Sequence, residues 1–306
     1  MTPLVADTAL LGGLAGLGAA LSWAFASIFF TEASRRLGSA LLNRTRLLLA
    51  AVLLAGAHYL LYGSLWPSNL TPDGLFWLAI SGLAAHVFGD GALYMAYVRV
   101  GPRLSMLVGT VTPVLSALLA WAFLGEILAP ADAVAVALTL SGVAWVVGEG
   151  RGAAGASGGG ERRLGLLLAL GSTAVQAVGI ITARHVLAGG LAPVAAVLVR
   201  VTVSAAVMWA WTGLRGQVGS SLRSLYLNRQ ALASLAAGTI TGPLVGASLS
   251  LAAVQAVQVG IASTLMAMPP VFLLPLSALV YKEKITVGAV LGTVVAIAGV
   301  GLLVMA

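Results

Sequence analysis

The chain has 306 residues, 60% of them hydrophobic and 8% charged, with a net charge of +7 and no cysteine. A soluble domain carries about 25% charged residues, so this composition, with a mean hydropathy of +1.04, excludes one. The lack of cysteine excludes disulfides, thiolate metal ligands and thiol redox chemistry; with only three histidines, we expect neither a metal nor a cofactor.

Apolar stretches of around twenty residues recur from end to end. About twenty such residues cross ~30 Å of hydrocarbon as a helix, whereas barrel strands alternate polar and apolar over about ten. The expected fold is all-α and polytopic. Proline, glycine and charge punctuate ten spans, at about 9–30, 44–63, 74–98, 104–123, 130–148, 164–187, 192–213, 231–255, 260–281 and 285–305. No Lys or Arg precedes Arg35, so the first span lacks the basic start of a cleavable signal peptide and reads as a retained helix. The segment EGRGAAGASGGGERR, 149–163, reads as a flexible linker. It separates a first five-helix repeat, 1–148, from a second, 164–306.

The two halves resemble each other. A shift of 157 lays Gly89 on Gly246, Pro113 on Pro270, Glu126 on Glu283 and Gly142 on Gly299. A slightly different shift lays Arg46 on Arg200, and one of 153 lays Trp23 on Gln176. Basic residues then set orientation. The odd-numbered loops hold Arg35, Arg36, Arg44, Arg99, Arg103, Arg151, Arg162, Arg163, Arg215, Arg223, Arg229, Lys282 and Lys284; the even loops and termini hold Arg184. The positive-inside rule places the odd loops in the cytoplasm and both termini outside. Five spans per half make the repeats inverted, an architecture of secondary transporters with a site near the midplane. The basic residues sit at span ends, as topology signals do, so no nucleic-acid partner is expected.

Three stretches carry a family resemblance: LSWAFASIFF (21–30), LGEIL (124–128) and GIASTLMAMPPVFLLPLSALVYKEKIT (260–286). They are similar to the EamA-type members of the drug/metabolite transporter superfamily, and the likeness extends over both halves. It implies ten helices around a central cavity, movement of small metabolites without ATP, and residence in a bacterial or archaeal cytoplasmic membrane. Many members of that family place both termini in the cytoplasm, and the charges here argue the reverse.

Chemistry concentrates in AAHVFGDGALYMAYV, 84–98. A charged Asp at mid-bilayer costs about 2.5–3.5 kcal/mol on insertion scales. His86, Asp90 and Tyr94 stand at i, i+4 and i+8, and Tyr97 is seven beyond Asp90, so all four share a helix face. One reading is proton coupling through Asp90 and His86, the carboxylate binding a proton or a substrate amine but not both. The other is structural: a salt bridge to Arg46, or support of loosened backbone around Gly89–Gly91. Ala247 stands opposite Asp90 in the repeat, so the fold does not demand the acid twice. Arg46 is expected to snorkel from the end of its span; it and Arg200 form a charge pair that either recognises a carboxylate or packs against neighbouring helix ends. Trp23, Ser27, Thr110, Gln176, Ser263 and Thr264 complete the cavity set, and Pro113, Pro269 and Pro270 are expected to kink their helices.

The function these features support is a secondary active transporter, exporting an amino acid or similar small solute by alternating access. A passive facilitator of the same fold differs only in coupling. An intramembrane enzyme using His86 and Asp90 is the third reading, against which stand the missing HExxH, GxSxG and acidic metal motifs. Small-molecule substrate and membrane lipid are the expected partners, and ten helices can enclose a cavity as a monomer or homodimer. A cysteine replacing Pro3 should react with an impermeant thiol reagent in intact cells; reaction only after lysis would reverse the orientation.

Overall fold

The computed structural model describes residues 3–112, 114–115, 118–119, 130–149, 159–187, 189–256, 265–282 and 285–305. Among these residues the secondary structure is helical and no strand occurs. That follows from the composition, because backbone groups in hydrocarbon must be satisfied within the chain. The helices are α1 (Pro3–Leu37), α2 (Ser39–Tyr62), α3 (Pro72–Gly82), α4 (Asp90–Gly109), α5 (Pro130–Glu149) and α6 (Gly159–Leu187). They continue as α7 (Pro193–Leu214), α8 (Val218–Leu227), α9 (Arg229–Thr239), α10 (Ala247–Ala256), α11 (Pro269–Tyr281) and α12 (Val287–Met305). Two π-helical segments, Leu83–Gly89 and Ile240–Gly246, join α3 to α4 and α9 to α10.

Among the described residues, five stretches are long and apolar enough to cross a membrane: Leu11–Leu37, Ser39–Tyr62, Pro72–Gly109, Val194–Leu214 and Arg229–Ser250. Shorter apolar helices lie at Ala133–Val146, Pro269–Tyr281 and Val287–Leu302. Leu60, Leu214 and Leu279 stand exposed on the outside. The stretch Pro72–Gly109 is two helices in one. Gly101 has φ of 80°, and Pro102 follows it. A left-handed glycine and a residue without an N–H break the ladder there, between the expected third and fourth spans.

Local signals set other ends. Thr71 accepts a 3.0 Å bond from the Gly74 N–H and Pro72 opens α3, a capped start with proline where its missing donor costs nothing. Gly63, at φ of 71°, ends α2 with its N–H on the Tyr59 carbonyl, the left-handed cap glycine adopts without strain. The linker differs from expectation. Residues 150–158 lie outside the described set, but Gly159 to Arg163 already belong to α6. Glu161 in its first turn suits the positive end of the helix dipole and meets Arg99 at 3.1 Å.

Helix α1 packs along α9, the second π segment and α10; α6 packs along α3, the first π segment and α4. Each half therefore sends its first helix onto the other. Other pairs are α5 with α12, α2 with α7, α3 with α7, α1 with α4, and α4 with α11. The shift of 157 read from the sequence maps the first π segment onto the second end to end.

Small residues make these crossings close. A Cβ on Gly242 would approach that of Ala26 at 3.0 Å, and one on Gly179 would meet that of Ala85 at 2.9 Å. The two crossings are images of each other with the glycine moved to the opposite helix. Between α5 and α12 the contact is backbone on backbone. A Cβ on Gly142 would fall under 3.0 Å from Ala296 and Gly292 backbone atoms, and one on Gly299 under 3.0 Å from Thr139 and Ala135 backbone. Gly142→Ala should lower thermal stability in detergent by about 1–3 kcal/mol, the cost of overpacking. Gly171→Ala, whose methyl meets nothing within 4 Å, should hold or raise it. Equal behaviour of the two variants would show that the close seam is not tight.

Candidate functional site

A cavity of about 580 Å³ opens where the two halves meet. That is a size typical of small-molecule sites. The first half contributes Trp23, Ser27, Arg46, His86, Asp90, Tyr94, Tyr97 and Thr110; the second contributes Gln176, Arg200, Pro269 and Pro270. Pro113, Ser263 and Thr264 lie outside the described residues. Phe30, Ser105, Met106, Ser172, Thr173, Pro243 and Ala247 also line it.

Arg46 does not snorkel. It is 4% exposed and turned inward from α2. Its Nη2 donates to Asp90 Oδ2, and at 3.3 Å to Asn43 Oδ1 one turn earlier. The guanidinium also lies 5.1 Å from the Tyr94 ring centroid and 5.7 Å from that of Phe30. A buried charge needs a partner and satisfied hydrogen bonds, and the aromatic faces add cation–π attraction. His86 Nδ1 meets the same Asp90 oxygen at 3.0 Å, while its Nε2 is buried without a partner among the described residues. Of the two structural readings of Asp90, the salt bridge to Arg46 is the one present.

Loosened backbone is present as well, but Asn43 serves it, not Asp90. The Asp90 N–H bonds to Ala85 O, five residues back, and the Asn43 amide donates to His86 O at 2.7 Å. A π segment displaces a carbonyl from the regular ladder, and in an apolar setting a side chain must answer it. Asn43 is fully buried. Its place three residues before Arg46, on the same helix face, is the signal in the sequence that points to it.

Trp23 and Gln176 hold equivalent positions. A Cβ on Gly246 would touch the Trp23 indole at 3.0 Å, and one on Gly89 would touch Gln176 Cγ at 3.0 Å. Each therefore lies against the glycine that ends the π segment of the other half. Gln176 Nε2 donates to Ser172 Oγ at 2.8 Å. Ser27 and Thr110 line the cavity with hydroxyls that donate within their own helices, to Ala24 O and Leu107 O at 2.7 Å each. Pro269 and Pro270 do not kink a continuous helix. They open α11 after a break at Ala267 and Met268, where a first-turn proline lacks only a donor the helix would not use.

Arg200 comes from α7, partly buried, with its Nε unsatisfied. Its side chain makes no hydrogen bond or ion pair among the described residues, in contrast to Arg46. The repeat explains this. A shift of 154 sets Val197 for Asn43, and a shift of 157 sets Pro243 for His86 and Ala247 for Asp90. The second half keeps the arginine and none of its partners.

Removing Arg46 alone would strand a carboxylate. Arg46→Gln should cost about 2–3 kcal/mol, below the full penalty for a broken buried pair because Asp90 is partly exposed. Adding Asp90→Asn to it should recover most of the loss, read as melting temperature in detergent. Additive losses would argue against the pair.

Comparison with known proteins matches this architecture. Nineteen chains of solved structures match the fold. One of them, described only as the crystal structure of a protein, superposes with a TM-score of 0.63 at 19% identity, covering 95% of this chain and 94% of its own. No curated protein matches the chain. The profile of the EamA-like transporter family matches twice, over residues 10–148 and again over 163–305. Two matched copies spanning both halves identify the chain as a member of the EamA-like transporter family.

Proposed function

We propose that the chain is a secondary active transporter that exports a small polar or amphipathic solute, about the size of an amino acid. Ten helices in two inverted five-helix repeats would rock about the shared cavity, exposing it to each side in turn. The observation that carries this reading is a cavity of about 580 Å³ lined by equivalent elements of both halves. The exchanged packing of α1 and α6 and the matched π segments support it, since related elements are those that can trade roles between two end states.

Coupling falls to Asp90 and His86 on this reading. Asp90 already carries an ion pair with Arg46, which leaves His86, hydrogen-bonded to the same carboxylate, as the group that takes and returns a proton. The test is the purified chain in liposomes, with solute flux measured with and without a pH gradient. Saturable flux with competition that depends on solute shape is expected. Asp90→Asn and His86→Gln should each lose the acceleration by the gradient and retain exchange of solute at equal pH. Full gradient-driven flux in both variants removes the coupling role.

A further inference from the structure

We propose that the cavity takes a small organic carboxylate lacking an ammonium group, and that this carboxylate pairs with Arg200. The proposal rests on the transport reading above and narrows its substrate.

The argument begins with charge. Among the described residues, the charged groups lining the cavity are Arg46, Asp90 and Arg200, with His86 the other ionisable one. Arg46 and Asp90 neutralise each other. Arg200 then leaves the cavity with at least one net positive charge. A guanidinium taken from water needs a partner, and its planar fork fits a carboxylate through two parallel bonds.

The repeat says where that carboxylate would come from. In the first half the acid is supplied by the chain, immediately after the π segment, at Asp90. In the second half the residue immediately after the π segment is Ala247, and it also lines the cavity. Helix α2 packs on α4 beside the Arg46–Asp90 pair, whereas α7 and α10 are not packed in the equivalent way among the described residues. Arg200 and Ala247 both line the cavity, and the ionisable groups that Arg200 faces there are Asp90 and His86 of the first half. A solute carboxylate on Arg200 would supply the acid that the second half lacks.

The same inventory disfavours other charge types. A cation meets Arg200. A zwitterion could offer its carboxylate to Arg200, but its ammonium finds the one carboxylate among the described lining residues, Asp90, held by both Arg46 and His86. The body of the solute meets Trp23, Phe30, Tyr94 and Tyr97, which favours an apolar or aromatic skeleton.

Three probes with one skeleton separate the possibilities: 3-phenylpropionate, L-phenylalanine and 2-phenylethylamine. Their binding to the full chain in detergent is measured by calorimetry at pH 7. The anion should bind at least tenfold more tightly than the zwitterion and the amine. Arg200→Gln should remove that advantage, and Arg200→Lys should retain part of it. The proposal is overturned if 3-phenylpropionate binds no better than the amine, or if its advantage survives Arg200→Gln. Flux in liposomes keeps the two readings apart. Saturable transport of phenylalanine or the amine, without an anion advantage, sinks this assignment and leaves the transporter standing. Anion binding without flux of any probe does the reverse.

Discussion

Arg46 carries a full charge in a helix rich in leucine and alanine, at 4% exposure. Everything around it is arranged to make that tolerable. Asp90 supplies the countercharge, Asn43 bridges the guanidinium to the backbone of the π segment, and Tyr94 and Phe30 close over it. The cluster binds α2 to the junction between α3 and α4 and so fixes one wall of the cavity. An isolated Asp or Arg at this depth would be costly; as a hydrogen-bonded set they position one another.

Membership of the EamA-like family accounts for the frame, the two matched copies. The frame repeats in glycines, π segments and helix crossings. The polar cluster occurs once. Where two copies of one sequence have diverged, the residues lost from one copy mark what folding does not require. Asn43, His86 and Asp90 have apolar counterparts in Val197, Pro243 and Ala247, so the second half folds without them.

The repeat was legible in the sequence because close helix contact leaves a durable mark: Gly89 and Gly246, or Gly142 and Gly299, hold places where a Cβ would collide. The apolar spans were legible from length and composition, although residues 113, 116–117 and 120–123 of the fourth expected span and 260–264 of the ninth fall outside the described residues. The π segments were not legible. LAAHVFG and ITGPLVG share little besides their final glycine, and a wider helical turn has no composition of its own. Asn43 escaped for the same reason, since its role is to answer a carbonyl whose displacement the sequence does not announce. The inward turn of Arg46 was missed because a basic residue near a span end ordinarily reaches for the headgroups, and only its partner across the bundle decides otherwise.

The contact between α5 and α12 has a mechanical meaning. Gly142, Gly292 and Gly299 remove the side chains that would hold two helices at the usual 8–10 Å, and backbone meets backbone. At the closest points only Val146, Trp145 and Thr139 of α5 bring side-chain atoms against the glycines of α12. Two helices joined in this way form one stiff strut, and a strut can tilt but cannot open along its length. Shape change in this molecule must therefore be borne by joints elsewhere, with the break at Gly101 and the two π segments as the places where the helical ladder already gives.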